Sequence, residues 1–364
     1  MAKIRVLIVD DAVVVRKILT DVLASDPDIE VVGVAANGSI AIQKIPQVNP
    51  DLVTLDLEMP EMDGLETLTE IRRLYPKLPV LLFSTLTERG AASTLDGLSR
   101  GASDYVTKPS NVGSVQLAMQ RIREDMIPKV KSLCPGRAMS AAPPPAVAKA
   151  ERPVLPTRTP VSTPAVRGGG RPQILAIGCS TGGPNALAAM LPCLPGDLPI
   201  PVVLVQHMPP LFTRLLAERL DDKCALKVRE AAEGDIISPG GIWIAPGDFH
   251  LELRSGAGGQ KTVHLQQNPP ENSCRPAVDV MFRSVAAQYG SHVLGVVLTG
   301  MGQDGLRGSE VIKEAGGEIW VQDEASSVVW GMPGFVARAG LASRVLPLDQ
   351  IGTELGRFLS RAAA

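Results

Sequence analysis

The chain has 364 residues, 45% of them hydrophobic and 20% charged, an ordinary globular composition with room for two domains that each bury a core. A formal net charge of −2 and a pI near 6.1 leave no electrostatic footprint for nucleic acid or for an acidic membrane surface, so no nucleic-acid partner is expected. Five cysteines, Cys134, Cys179, Cys193, Cys224 and Cys274, show neither CxxC nor zinc-ligand spacing and fit a reducing, cytoplasmic setting.

The opening MAKIRVLIVDD has an apolar run too short, and too soon followed by two aspartates, to be a signal-peptide core. No run approaches the ~20 apolar residues of a membrane span, so no direct membrane insertion is expected. From Lys3 to about Met126, apolar strands at 5–9, 30–35, 52–55, 80–84 and 104–106 alternate with helical patterns at 14–24, 39–48, 64–75, 91–98 and 115–126. This is the pattern of a flavodoxin-like, doubly wound parallel sheet, whose working residues collect at the C-terminal ends of the strands. Four strand ends carry chemistry: Asp10 and Asp11, Asp56, Ser84, and Lys108 before Pro109. Any one acidic loop residue is ordinarily a solvated charge. Together they suit a hard cation such as magnesium beside a carboxylate nucleophile for a phosphoryl group, with Lys108 and Ser84 meeting the phosphoryl oxygens.

VLIVDD, Asp56 within LVTLDLEMPEMDGLE, Ser84 and DYVTKP resemble the receiver domain of two-component response regulators. The resemblance implies that Asp56 is phosphorylated by a histidine kinase, that Asp10, Asp11 and Asp56 hold Mg2+, and that Ser84 and Tyr105 form a switch pair. Ser84 stands where threonine is commoner in that family, and it keeps the hydroxyl.

From Pro128 to about Pro172 the periodic pattern fails. Proline, alanine and spaced arginines (Arg152, Arg158, Arg167, Arg171), with Pro143–Pro145 and Gly168–Gly170, read as an interdomain linker. Beyond it, strands at 174–179, 202–206, 227–230, 293–298 and 318–322 alternate with helices at 185–191, 211–221, 277–289 and 306–315, ahead of closing helices. Short strands and turns run from 242 to 266. The expectation is a second parallel-sheet α/β domain, Rossmann-like, with a small antiparallel insertion.

The run ILAIGCSTGGP places Ser180 at a strand-to-helix junction, where Gly182 and Gly183 leave the backbone bare and Pro184 starts a helix. A serine hydroxyl is a poor nucleophile without a base, and the base works best when a carboxylate orients it. Of four histidines, His207 alone follows an apolar strand at its C-terminal end; His250 and His264 lie among the short strands, and His292 opens a strand at the wrong end. The loop TGMGQDG offers Asp304 as the carboxylate and the Met301 amide as an oxyanion donor, with Asp279 a weaker rival inside a helical pattern. A phosphate or calcium loop competes, but a single carboxylate and no GK[ST] argue against both.

GCSTGGP, LVQHMP and LTGMGQDG, in this order behind a receiver and linker, resemble the chemotaxis protein-glutamate methylesterases of bacteria, across nearly the whole chain. The resemblance implies Ser180 as nucleophile, His207 as general base and Asp304 as its orienter, with Thr181 and the Met301 backbone supporting the site. It implies hydrolysis of methyl-esterified glutamates on methyl-accepting chemotaxis receptors, deamidation of receptor glutamines, a chemotaxis histidine kinase as phosphodonor, and no cofactor for hydrolysis. The expected division is a receiver over 1–127, a linker over 128–172 and a catalytic domain over 173–364. The alternative is a response regulator with a DNA-binding or other non-receptor output, which calls for a recognition helix and a basic face after the linker.

Overall fold

The computed structural model of the protein describes residues 2–109, 114–138 and 171–361. Most of the expected linker, including Arg152, Arg158 and Arg167, lies outside the described residues. The N-terminal part runs β1 (Ile4–Val9), α1 (Val13–Ala24), β2 (Ile29–Ala35), α2 (Gly38–Val48), β3 (Leu52–Asp56), α3 (Gly64–Leu74), β4 (Val80–Ser84), α4 (Glu88–Ser99), β5 (Asp104–Thr107), α5 (Val115–Leu133) and α6 (Pro135–Ala138). Its strands pair in the order β2-β1-β3-β4-β5, all parallel. Helices on both faces explain why β3 and β4 are buried along their whole length and read as continuous apolar runs. Side-chain caps fix where helices begin: Asn37 accepts from the Ile40 amide, Asp63 and Glu66 form a reciprocal capping box, and Thr87 accepts from the Gly90 amide.

One helix departs from expectation. The pattern predicts an end near Met126, yet α5 continues through Pro128 to Leu133, and α6 carries helical structure to Ala138. An interior proline costs about 3 kcal/mol of helix stability. The apolar stripe Met126, Ile127, Val130 and Leu133 is buried with Leu19, Val22 and Leu23 of α1, and at about 1.5–3 kcal/mol per fully buried side chain that packing outweighs the proline.

The C-terminal part runs β6 (Ile174–Cys179), α7 (Gly183–Met190), β7 (Val202–Gln206), α8 (Phe212–Asp221), β8 (Lys227–Glu230), β9 (Gly241–Ile244), β10 (His250–Ser255), β11 (Lys261–Gln266), α9 (Val278–Tyr289), β12 (Val293–Val297), α10 (Leu306–Glu314), β13 (Glu318–Gln322), α11 (Met332–Arg338), β14 (Arg344–Leu346) and α12 (Leu348–Arg361). Seven strands form one parallel sheet, β14-β13-β12-β6-β7-β9-β8. Among the described residues the antiparallel patch is the pair β10-β11, with Ile236 bridged to Thr262 of β11. The strand at 241–244, expected among the short antiparallel elements, instead sits in the parallel sheet between β7 and β8, buried at every position. The short edge strand β14 has no counterpart in the sequence pattern, because its residues are largely exposed and show no apolar run.

Chain order reverses around β6: β7 lies on one side of it and β12 on the other. Ligands of open α/β sheets bind at such a switch point, beyond the carboxyl ends of the strands. The two parts of the chain share one continuous apolar cluster, in which Ala91, Leu95 and Tyr105 meet Phe212, Leu216 and Leu220. Among the described residues no helix is long and apolar enough to cross a membrane.

Candidate active site

The sheet carries Ser180, His207 and Asp304 to the carboxyl ends of three adjacent central strands, β6, β7 and β12. Ser180 is held by its backbone: its amide donates to the Thr299 carbonyl (3.0 Å), and its carbonyl accepts from the Gln206 side chain (3.0 Å). Two glycines make the turn possible. Gly182 adopts a left-handed φ of 78°, and a Cβ on Gly300 would approach the Ser180 Cβ to 2.9 Å, so only glycine lets the loop after β12 pass this close.

His207 Nε2 lies 2.8 Å from Asp304 Oδ2. That carboxylate is saturated with donors. Oδ2 also accepts from the Val278 amide (2.6 Å), while Oδ1 accepts from the amides of Asp279 and Gly305 and from the Asn272 side chain, each at 3.0 Å. Val278 and Asp279 open α9, so a helix N-terminus points at the charge. Burial pushes the Asp304 carboxyl up, but the His207 hydrogen bond and charge and the backbone donors outweigh it and hold it below its usual value. Asp279, the rival carboxylate, sits behind Asp304. It accepts from the Gly308 amide (2.6 Å) and from Asn272 (2.9 Å), and burial, reinforced by the Asp304 charge, pushes it to about 6.

The other ring nitrogen of His207 faces a cysteine: Nδ1 is 3.5 Å from Cys274 Sγ. Burial works against a charged ring, yet Cys274 and Asp304 together raise His207 to about 10. The Ser180 hydroxyl makes no hydrogen bond among the described residues. Sequence reasoning missed Cys274 and Asn272. Both lie in the loop ENSCRP, whose spacing follows no catalytic pattern and whose partners are 67 and 32 residues away in the chain.

Ser180, Thr181, His207, Cys274 and Met301 line a cavity of about 730 Å3 whose opposite wall comes from the N-terminal part: Asp104, Tyr105, Thr107, Glu124, Asp125 and Lys129. The two walls touch beside the serine, where the Thr181 hydroxyl donates to Asp104 Oδ2 at 2.6 Å. The Tyr105 ring stacks on Phe212 with centroids 4.8 Å apart. Further out, Arg219 pairs with Asp96 and donates to the Ala92 carbonyl, each at 2.8 Å, and Arg214 pairs with Glu88 at 2.8 Å. The amides of Thr181 and Met301 donate no hydrogen bond among the described residues.

In the N-terminal sheet, Lys108 Nζ lies 2.8 Å from Asp56 Oδ2 and 3.3 Å from Asp10 Oδ2. Burial pushes Asp56 up to about 6 despite the hydrogen bond and charge of Lys108, and the Asp10 charge adds to the rise. Asp10, Asp11 and Asp56 each offer a carboxylate oxygen within 4.8 Å of the others. Three carboxylates this close, with the Lys108 ammonium as the cation that meets Asp10 Oδ2 and Asp56 Oδ2, make a donor set that fits a hard divalent ion. Ser84 is buried and donates to the Gly90 carbonyl of α4 (3.2 Å), while Tyr105 packs towards α8, so the expected switch pair is directed at two different helices.

A family model described as CheB methylesterase matches residues 175–355, and one described as response regulator receiver domain matches residues 6–120. A protein-glutamate methylesterase/protein-glutamine glutaminase from Nocardioides sp. is 55% identical over 362 residues, covering 99% of this chain and 97% of that one. A protein of the same description from Trichodesmium erythraeum is 53% identical over 363 residues, covering 98% and 99%. Among solved structures, the Thermotoga maritima CheB methylesterase catalytic domain matches with a TM-score of 0.50 and 44% identity, covering 51% of this chain and 98% of that one.

Proposed function

The chain belongs to the protein-glutamate methylesterases/protein-glutamine glutaminases, with a methylesterase domain behind a response regulator receiver, and from this premise we propose that it hydrolyses glutamate methyl esters on methyl-accepting chemotaxis receptors and deamidates receptor glutamines. The observation that carries the site assignment is the arrival of Ser180 and His207 from adjacent strand ends on one cavity, with Asp304, from the third, held 2.8 Å behind the His207 ring. Ser180 Oγ attacks the ester carbonyl while His207 takes its proton. The tetrahedral oxyanion forms near the unengaged amides of Thr181 and Met301. His207 returns the proton to the leaving methoxide, and methanol departs. Water, deprotonated by the same ring, then cleaves the acyl-enzyme and frees glutamate; with glutamine the first leaving group is ammonia. Asp304 keeps the ring oriented and stabilises its positive charge. Hydrolysis by this route needs no cofactor. The output is an enzyme's, and the family match to residues 175–355 leaves the DNA-binding alternative without support.

Asp56 is the phosphoacceptor in this reading, with a chemotaxis histidine kinase as donor. Asp10, Asp11 and Asp56 would hold Mg2+, which would supply charge neutralisation at the phosphoryl site. Lys108 meets the phosphoryl oxygens. The receiver takes in α5 and α6, the linker spans the residues after 138, and the catalytic domain begins with β6. The uncharged receiver covers the catalytic cavity, and phosphorylation weakens that cover through Ser84 and Tyr105. What supports this is the position of Tyr105 on Phe212 and of Asp104 on Thr181, the residue next to the nucleophile. The test is release of labelled methanol from methyl-labelled receptors: a folded Ser180→Ala protein that still releases it at an appreciable fraction of the parent rate refutes the assignment.

A further inference from the structure

Among the described residues both ring nitrogens of His207 have partners other than the nucleophile. Nε2 is taken by Asp304 at 2.8 Å and Nδ1 by the Cys274 thiol at 3.5 Å, a normal length for a hydrogen bond involving sulfur, while the Ser180 hydroxyl is unengaged among the described residues. We propose that Cys274 is a positioning residue for His207, holding the ring nitrogen opposite Asp304, and that release of this nitrogen is what allows His207 to accept the Ser180 proton. The inference rests on the reading of His207 as general base.

Cys274 is placed by a rigid loop. Glu271 and Cys274 exchange backbone hydrogen bonds (3.1 and 2.9 Å), and Arg283 anchors the Glu271 carboxylate through both of its terminal nitrogens. Between them Asn272 and Ser273 adopt left-handed φ values of 52° and 62°, conformations that cost non-glycine residues energy and that concentrate at functional sites. The same short loop therefore addresses both members of the pair: Asn272 grips Asp304 Oδ1 and Cys274 grips His207 Nδ1. Sulfur is a weak hydrogen-bond partner, so an oxygen entering the cavity displaces it more readily than it would displace a carboxylate.

The charges around the ring decide what removing the thiol does. Asp304 is in contact and Asp279 stands behind it. Across the cavity the receiver contributes Asp104, Glu124, Asp125 and Lys129, and the catalytic side adds the paired Asp248 and Arg275. All of these remain when Cys274 is changed, so the variant isolates the contribution of the thiol. Asp304, and Cys274 where its sulfur carries charge, favour the protonated ring. Without Cys274 the ring loses its proton at lower pH, and the acid limb of kcat/KM moves down with it.

The experiment uses the full chain carrying Cys274→Ala, which removes the contact, and Cys274→Ser, whose hydroxyl can restore a hydrogen bond to the ring. The His207 imidazole is titrated by NMR, with the three other histidines as internal references, and kcat/KM for methyl-labelled receptors is followed against pH. The expected result is a fall of about one to two pH units in the His207 midpoint, the size of a lost hydrogen bond to a charged group, with the acid limb moving the same way. A His207 midpoint unchanged in folded Cys274→Ala overturns the proposal, as does a uniform loss of kcat with an unmoved limb, which marks a merely structural residue. The NMR titration needs no turnover, so it judges the Cys274 contact even if an active His207→Gln protein removes His207 from the role of base.

Discussion

Replacing Asp104 with alanine removes a receiver carboxylate that touches the residue beside the nucleophile. Asp104 Oδ2 accepts from Thr181 Oγ1 at 2.6 Å, and both residues are buried. Lys129, 3.7 Å from the same oxygen, keeps Asp125 (3.2 Å) and the Tyr105 carbonyl (2.6 Å), so the substitution leaves no stranded cation. Asp104 also accepts from the Tyr105 amide (2.8 Å), a bond local to β5 that does not reach across the domains. What the closed arrangement loses is a buried hydrogen bond to a charged group, worth about 1.5–3 kcal/mol. At about 1.4 kcal/mol per factor of ten, the open fraction rises roughly 10- to 100-fold. The assay is the initial rate of methanol release from methyl-labelled receptor membranes by the unphosphorylated full chain. Asp104→Ala should hydrolyse roughly tenfold faster than the parent or more, and phosphodonor should add correspondingly less. A folded variant that is no faster than the parent without phosphodonor refutes the reasoning. The outer pairs give a contrast: Arg214 and Glu88 are both well exposed, so Arg214→Ala should change the rate little.

Three further outcomes follow from the two sites. Asp304→Asn leaves its backbone donors facing a neutral amide and His207 without its orienting charge, so kcat should fall on the order of 10^3- to 10^4-fold with the fold retained, as circular dichroism and single-turnover rates would show. Chelation of divalent cations and Asp56→Asn should each abolish stimulation by a phosphodonor while leaving the unphosphorylated rate where it was; a parallel loss of basal hydrolysis would place the metal in the wrong domain. The raised His207 value has a definite sign. Its stabilisation is fully present below the ordinary 6.5 and is lost as pH rises through about 10, so the melting temperature of the parent should decline over that window more steeply than that of His207→Gln.

Much of the fold was legible because buried parallel strands write themselves as apolar runs. Strands at 80–84, 174–179, 202–206, 227–230 and 318–322 occur as the pattern predicts. Where packing overrides local preference, the pattern misleads. Pro128 reads as a helix end, and only the burial of Val130 and Leu133 against α1 carries α5 past it. The strand at 241–244 is too short to announce whether its neighbours run parallel or antiparallel, and its place between β7 and β8 is a fact of the assembled sheet.

The candidate site divides in the same way. Ser180, His207 and Asp304 were readable because each follows an apolar strand, and in a parallel sheet the strand ends gather on one edge. Asp10, Asp11, Asp56 and Lys108 were readable for the same reason. Cys274, Asn272 and Asp104 were not. Their roles depend on partners 67, 32 and 77 residues away, brought within hydrogen-bonding reach only when the loop before α9 closes on the triad and the receiver closes on the catalytic domain. Strand order along a chain determines which ends can carry chemistry, because periodic burial is a local property; which atom faces which is settled by long-range packing, and that is recorded only in the folded molecule.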